Sequence, residues 1–276
     1  APFELSQNGS SGWATEINVA ATYNGLIWVR LNATQVGTHN DVEITHSNAN
    51  ASPVTITVSG TVNIPAGPLD NLFFSEYIEG LSNNKALEIF NASDVTVDLS
   101  RYKVELYSNG STTAANTLIM SGTLAPGEVY VIANAGAAAE IQAEADITST
   151  VTYFNGDDAL ALRCLNPDTI IDVIGEIGSD PGDYWPVAGV ATATLDHTLI
   201  RKPTITSGNT DWAQQQGTNA EDSEWIVMPV GTHDNLGTHV YNPGGSVTEA
   251  PTFDPPAGNY MSPINVTLSS TTDNAV

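Results

Sequence analysis

Phe73-Phe74-Ser75-Glu76-Tyr77-Ile78-Glu79-Gly80-Leu81-Ser82-Asn83-Asn84-Lys85-Ala86-Leu87-Glu88-Ile89-Phe90-Asn91 is the stretch on which the fold is read. Two apolar, aromatic-rich runs flank a polar turn at Gly80 to Asn84. Leu87 and Ile89 fall on one side of a strand, and Glu88 and Phe90 on the other. That period of two predicts a strand–turn–strand unit of a β domain.

The pattern continues outward. Tyr102, Val104 and Leu106 share a face, and Asn109-Gly110 forms the turn after them. Thr123 to Glu128 turns the chain into a strand over Val129 to Ala133. Ala137 to Ala145 has room for a turn or two of helix. Asn155-Gly156-Asp157-Asp158 leads into Ala159 to Cys164, and Asn166-Pro167-Asp168 leads into Thr169 to Gly175. Before the opening stretch, Val54, Ile56 and Val58 alternate with Thr55, Thr57 and Ser59, the pattern of a half-buried sandwich strand.

Ser75-Glu76-Tyr77, Glu79-Gly80 and Asn83 to Asn91 resemble the opening of a bacterial lamin-tail domain. The later order is similar too: Gly156-Asp157-Asp158, a strand, a turn, then Ile171-Asp172-Val173-Ile174-Gly175, with Leu199 to Lys202 and Leu236 to His239 as closing segments. Phe3 to Ser6, Ile27 to Leu31 and Val58 to Val62 resemble part of an immunoglobulin-like module of secreted Bacteroidetes proteins, without its first strands. Pro251 to Tyr260 and Val266 to Ser270 resemble the start of a chitobiase-like C-terminal module. The resemblances imply an all-β chain of tandem immunoglobulin-like β-sandwiches, with truncated modules at both ends. The implied order is a partial module over 1–62, a linker over 63–71, a lamin-tail-like sandwich over 72–241, a linker over 242–249 and a third module over 250–276.

Composition narrows the function. Seven Lys and Arg face 31 Asp and Glu, a net charge of -24, which repels phosphate backbones and anionic membranes. No apolar run reaches the ~18–20 residues of a membrane span. Ala1 to Glu4 carries neither the basic nor the apolar region of a signal peptide. Cys164 is the only cysteine, so there is no disulfide framework, and its apolar surroundings suit a buried thiol. No Gly-x-Ser-x-Gly elbow and no His-Glu-x-x-His pair occurs, so no catalytic residue is assigned.

Two acidic groups and one aromatic pair are candidate sites. Glu76 and Glu79 stand three apart, which puts them on opposite faces of a regular strand; only a bulge or turn brings them together. With Glu88 they are either surface charge paired with Lys85 or part of a calcium clip. Asp157 and Asp158 are either turn caps or calcium ligands. Tyr184 and Trp185 lie in a loop-like stretch and are candidates for a sugar-stacking platform. The five histidines read as solvated or structural, with His233 and His239 the first pair to inspect for a metal.

The expected function is that of a non-catalytic accessory or spacer segment of a large secreted or cell-surface bacterial protein. No cofactor is required, calcium being the one candidate. Expected partners are other domains of the same polypeptide, secretion or cell-surface machinery, and polysaccharide, with neither direct nucleic-acid binding nor membrane insertion. The resemblance implies export by the Bacteroidetes type IX route. The alternatives are a carbohydrate- or surface-binding module, and the non-catalytic part of an extracellular nuclease or phosphoesterase.

Overall fold

The computed structural model describes residues 2–20, 22–32, 37–48, 51–62, 67–244, 252–254, 265 and 267–269. The chain divides into two compact units, Ala1–Gly67 and Pro68–Val276. The core of the linker expected over 242–249 lies largely outside the described residues, as does most of the third module.

In the first unit β1 (Phe3–Ser6) pairs antiparallel with β2 (Trp28–Leu31), and β3 (Gly37–Asn48) with β4 (Ala51–Val62). Gly60 is where the hairpin meets the first pair: a Cβ there would lie 3.0 Å from Leu31 and 3.5 Å from Phe3. Val54 and Ile56 do share a face, but it is uncovered: they are 62% and 54% exposed. The expected half-burial fails because neither two-stranded sheet supplies enough surface to cover them.

The second unit is a two-layer β-sandwich. Its elements are β5 (Leu72–Glu79), β6 (Lys85–Asn91), β7 (Val97–Asp98), β8 (Tyr102–Tyr107), β9 (Asn116–Ile119), β10 (Thr123–Leu124), β11 (Val129–Ala133), α1 (Ala139–Glu144), β12 (Ile147–Thr148), β13 (Ala159–Leu165), β14 (Asp168–Ile174), β15 (His197–Arg201), α2 (Trp212–Gln216) and β16 (Trp225–Pro229). A further antiparallel pair, β17 (Thr252–Asp254) and β18 (Thr267–Ser269), follows. One layer is a six-stranded sheet in the order β12-β11-β6-β5-β15-β16, and the other is four-stranded, β14-β13-β8-β9. Pairing is antiparallel throughout both layers except between β11 and β12.

β5 and β6 form the predicted hairpin, and both are buried from end to end apart from Lys85. Gly80 N–H closes the turn on Asn84 O at 2.9 Å; a Cβ on Gly80 would strike that same oxygen at 2.7 Å. Ser75 is the extra residue of a bulge, since Phe74 faces Ile89 while Glu76 faces Glu88. The bulge keeps Phe74 and Tyr77, three apart, on one face with Leu87 and Ile89. All four join Val104, Leu106, Leu160 and Leu162 from the other sheet in the main core.

The opposite face is covered as well. Ile78, Ala86, Val131 and Ala133 pack against Ile141 of α1 and Leu236 of the closing segment. A sheet covered on both sides tolerates little truncation. Leu87→Ala, at a fully buried position, is expected to cost about 2–5 kcal/mol, read as a lower urea midpoint with an unchanged slope.

Candidate functional site

Several charged groups of the second unit lie buried in the domain. Asp172, on the edge strand β14, is fully buried. β15 stops following β5 at the Ile200–Glu76 pair, so the Phe74 amide has no strand partner on that side. It donates instead to Asp172 Oδ2 at 2.8 Å, while Asn209 N and Arg201 Nη2 donate to Oδ1 at 2.9 and 3.2 Å. One carboxylate thereby ties the edge strand of the four-stranded sheet to β5 and β15 of the other sheet and to the 209 loop.

Arg201, the last residue of β15, is also fully buried. Its Nη1 donates to Gln215 Oε1 at 2.7 Å, and its Nη2 lies 2.9 Å from Glu224 Oε2. The guanidinium sits 4.5 Å over the Trp225 ring and 5.6 Å from Phe73. Gln215 also accepts from Trp225 Nε1 at 3.2 Å. Burial pushes the Asp172 carboxyl up, and Arg201 and the Asn209 and Phe74 amides pull it back. Planar, multi-donor Arg suits such a dry site better than Lys.

Glu76 and Glu88 form a second buried group on the outer face of the same sheet, directly opposite one another. Glu88 accepts from Ser75 Oγ at 2.6 Å and from Gly237 N of the closing segment at 2.8 Å. Glu76 Oε1 has no hydrogen-bond partner among the described residues. Burial, then the charge of Glu88, raises Glu76 to about 8, and burial raises Glu88 to about 7. His239 lies beyond, its ring 4.7 Å from Phe90 and 5.8 Å from Phe73; burial and Arg201 push it down to about 4, so it is neutral.

Glu79 has other partners. It pairs with Lys85 and accepts from Asp196 N at 2.6 Å. The bulge lies before Glu76, so the chain from Glu76 to Glu79 is regular and the pleat turns them to opposite faces. The reading of these glutamates as surface charge is corrected: Glu76, Glu79 and Glu88 are all buried, because the hairpin is covered on both sides.

Asp158 is a turn cap. It accepts from Asn109 N at 2.9 Å and Asn155 N at 3.0 Å, joining two turns at one end of the four-stranded sheet. Asp157 Oδ1 is buried without a partner among the described residues, and burial followed by the charges of Asp180 and Asp183 raises its carboxyl. Among the described residues no three His, Cys, Asp or Glu are placed to hold a metal. Glu76 and Glu79 point to opposite faces of β5 and do not converge on one point. His233 Nδ1 meets Gly231 O at 2.8 Å, while His239 packs on aromatic rings.

Trp185 is not a platform. It is 7% exposed and meets Trp212 edge to face, with ring centroids 6.3 Å apart. Its backbone N–H donates to Thr194 Oγ1 at 2.7 Å, and that hydroxyl donates to Gly156 O at 2.6 Å, which pulls the loop inward. Tyr184 is left exposed without its neighbour. A cleft of about 400 Å³ beside Trp212, lined by Gly175, Glu176, Ile177 and Asp211, lies nearby.

Residues 65–178 match the family model of the Lamin Tail Domain. The chain carries a lamin-tail-like domain. The matched span of this domain takes in β5 to β14, with Asp172 and both glutamates, but not β15, Arg201 or the closing segment. The chain is also similar to the crystal structure of a DUF4876 family protein from Bacteroides thetaiotaomicron, over 80% of this chain and 93% of that one. The identity is 12% and the TM-score 0.37, and nothing further rests on that likeness. No curated protein matches the chain.

Sequence reading missed the Asp172–Arg201 clamp. Half of the signal was present: Asp172 is a lone charge inside the apolar run Ile170 to Ile174, a position that demands a buried partner, whereas Arg201 stands beside Lys202 and reads as a strand end. Arg201→Met leaves Asp172 buried without its cation and is expected to cost about 3–5 kcal/mol. Adding Asp172→Asn to Arg201→Met should restore part of that loss in the same denaturation assay.

Glu76 gives a pH prediction of defined sign. Its folded pKa of about 8 lies above the ordinary carboxyl value, so its contribution is complete below about pH 4.5 and is lost as pH rises towards 8. Glu76→Gln is expected to be more stable than wild type at pH 8.5, by about 1–3 kcal/mol. The two should converge near pH 4.5, measured by urea titration at both pH values.

Proposed function

We propose that this chain is a non-catalytic accessory segment of a secreted or cell-surface bacterial protein. In this role it holds or spaces domains of the same polypeptide. The observation that carries the reading is how the buried charges of the lamin-tail-like domain are spent. Asp172 and Arg201 join the two sheets, Glu79 anchors the chain entering β15, and Glu88 anchors the closing segment. Each of these three carboxylates, Asp172, Glu79 and Glu88, takes a backbone amide or a cation as a partner, so its lone pairs go into architecture. The chain carries a formal net charge of -24, which keeps nucleic acids away and keeps the segment soluble in salt. Secretion or surface machinery, and polysaccharide around the cell, are the surroundings proposed for such a segment.

The purified chain is expected to show no turnover of nucleic acids, phosphoesters or glycans above buffer. Activity that co-purifies with the chain through successive columns and disappears on a point substitution would overturn the reading. The reading needs no calcium. The melting temperature is expected to be the same in excess chelator and in millimolar calcium; a calcium-dependent rise lost in Asp157→Asn would give the acidic turn a ligand instead.

A further inference from the structure

We propose that the closing segment, residues 235–241, is a pH-sensitive strap: it lies closed over the outer face of the six-stranded sheet while the Glu76–Glu88 pair holds a proton, and lifts when both carboxyls are ionised. The course of the strap carries this reading. Gly237 N donates to Glu88 Oε2 on β6 at 2.8 Å. Thr238 and His239 line a cavity of about 280 Å³ together with Ile200 on β15. Glu76, on β5, stands between those two strands, directly opposite Glu88 on one side and Ile200 on the other. The strap therefore crosses above Glu76 and covers it. It is held elsewhere by Leu236 in the second core, by the His239 and Tyr241 rings against Phe90, and just beyond by Asn242 N on Pro203 O at 2.7 Å.

Among the described residues neither Glu76 nor Glu88 forms an ion pair. The Lys and Arg of β5, β6 and β15 are Lys85 and Arg201, and they are taken by Glu79 and by Asp172 with Glu224. From α1 comes a third carboxylate, Glu144, whose Oε2 would lie 2.5 Å from a Cβ on Gly237. The strap itself brings His239, which is neutral above about pH 4, and from β15 and β16 the cavity presents Ile200, Ile226 and Met228. Glu88 has Ser75 Oγ and the Gly237 amide as donors, whereas Glu76 Oε1 is buried without a partner among the described residues. One charge is thus accommodated. A second would stand across from the first, away from water and with no donor of its own. Water is the remaining donor, and it reaches Glu76 when the strap lifts. A carboxyl that titrates in the ordinary range once hydrated and at about 8 when covered favours the covered form at low pH, and that preference is lost as pH rises towards 8.

The test is amide hydrogen exchange, read as protection relative to the intrinsic rate at each pH. The Gly237 amide is bonded to Glu88 and the Thr238 amide to Asn235 O, so both report on the strap. In the wild-type chain their protection is expected to fall by at least ~10-fold between about pH 6 and pH 9, while that of the β6 amides holds. Glu76→Gln should keep its protection at the higher pH, because its side chain takes no charge. Glu144→Gln, which leaves the pair intact, should still lose it. Equal wild-type protection at the two pH values would overturn the proposal, as would an equal fall in β6, which would make the change one of the whole domain. A Glu76→Gln chain that loses protection as the wild type does would overturn it too, by placing the responsible group elsewhere.

Discussion

A hairpin buried on both faces leaves its polar atoms no water to turn to. β5 and β6 lie in the middle of the six-stranded sheet, with the second sheet on one side and α1 with the closing segment on the other. Every carboxylate on them must find its partner inside the protein. Glu79 finds Lys85 and the Asp196 amide, Glu88 finds Ser75 and the Gly237 amide, and Asn91 ties down the carbonyls of Val95 and Leu124. Glu76 is the residue for which this accounting does not close, and burial holds its proton on it at neutral pH.

The same constraint explains the layout around the hairpin. Segments remote in sequence are positioned by the polar groups they bring to it. Asp172 stands where a neighbouring strand would have accepted from Phe74, and Arg201 neutralises it while stacking on Trp225. The segment from Leu236 to Tyr241 lies over the outer face, with Leu236 in the second core, His239 on Phe90 and Tyr241 5.1 Å from the same ring. Charges recruited in this way become fasteners: the Asp172 carboxylate holds two backbone amides and a guanidinium.

The two units differ in how far they satisfy their own surfaces. The lamin-tail-like domain encloses a core drawn from both layers, while the first unit leaves strand residues with apolar side chains in the open. Length does not account for this, because β3 and β4 are the longest strands among the described residues. The number of strands does: a pair of strands covers neither its own faces nor its own edges.

Much of the fold was legible in the residues alone. Alternation over Phe73 to Asn91 places the hairpin, and Gly80 marks its turn, because these signals depend on near neighbours in the chain. A bulge at Ser75 was not legible, since it depends on which residues of the partner strand it faces. Nor was the fate of the charges. The spacing of Glu76 and Glu79 correctly set them on opposite faces, yet their burial follows from layers built by residues distant along the chain, from β8 to Leu236 of the closing segment. Trp185 reads as a loop aromatic and is drawn inward by Thr194 and Gly156, which only the folded chain brings beside it. Local pattern sets strand, turn and face; whether a face meets water depends on what the rest of the chain lays over it.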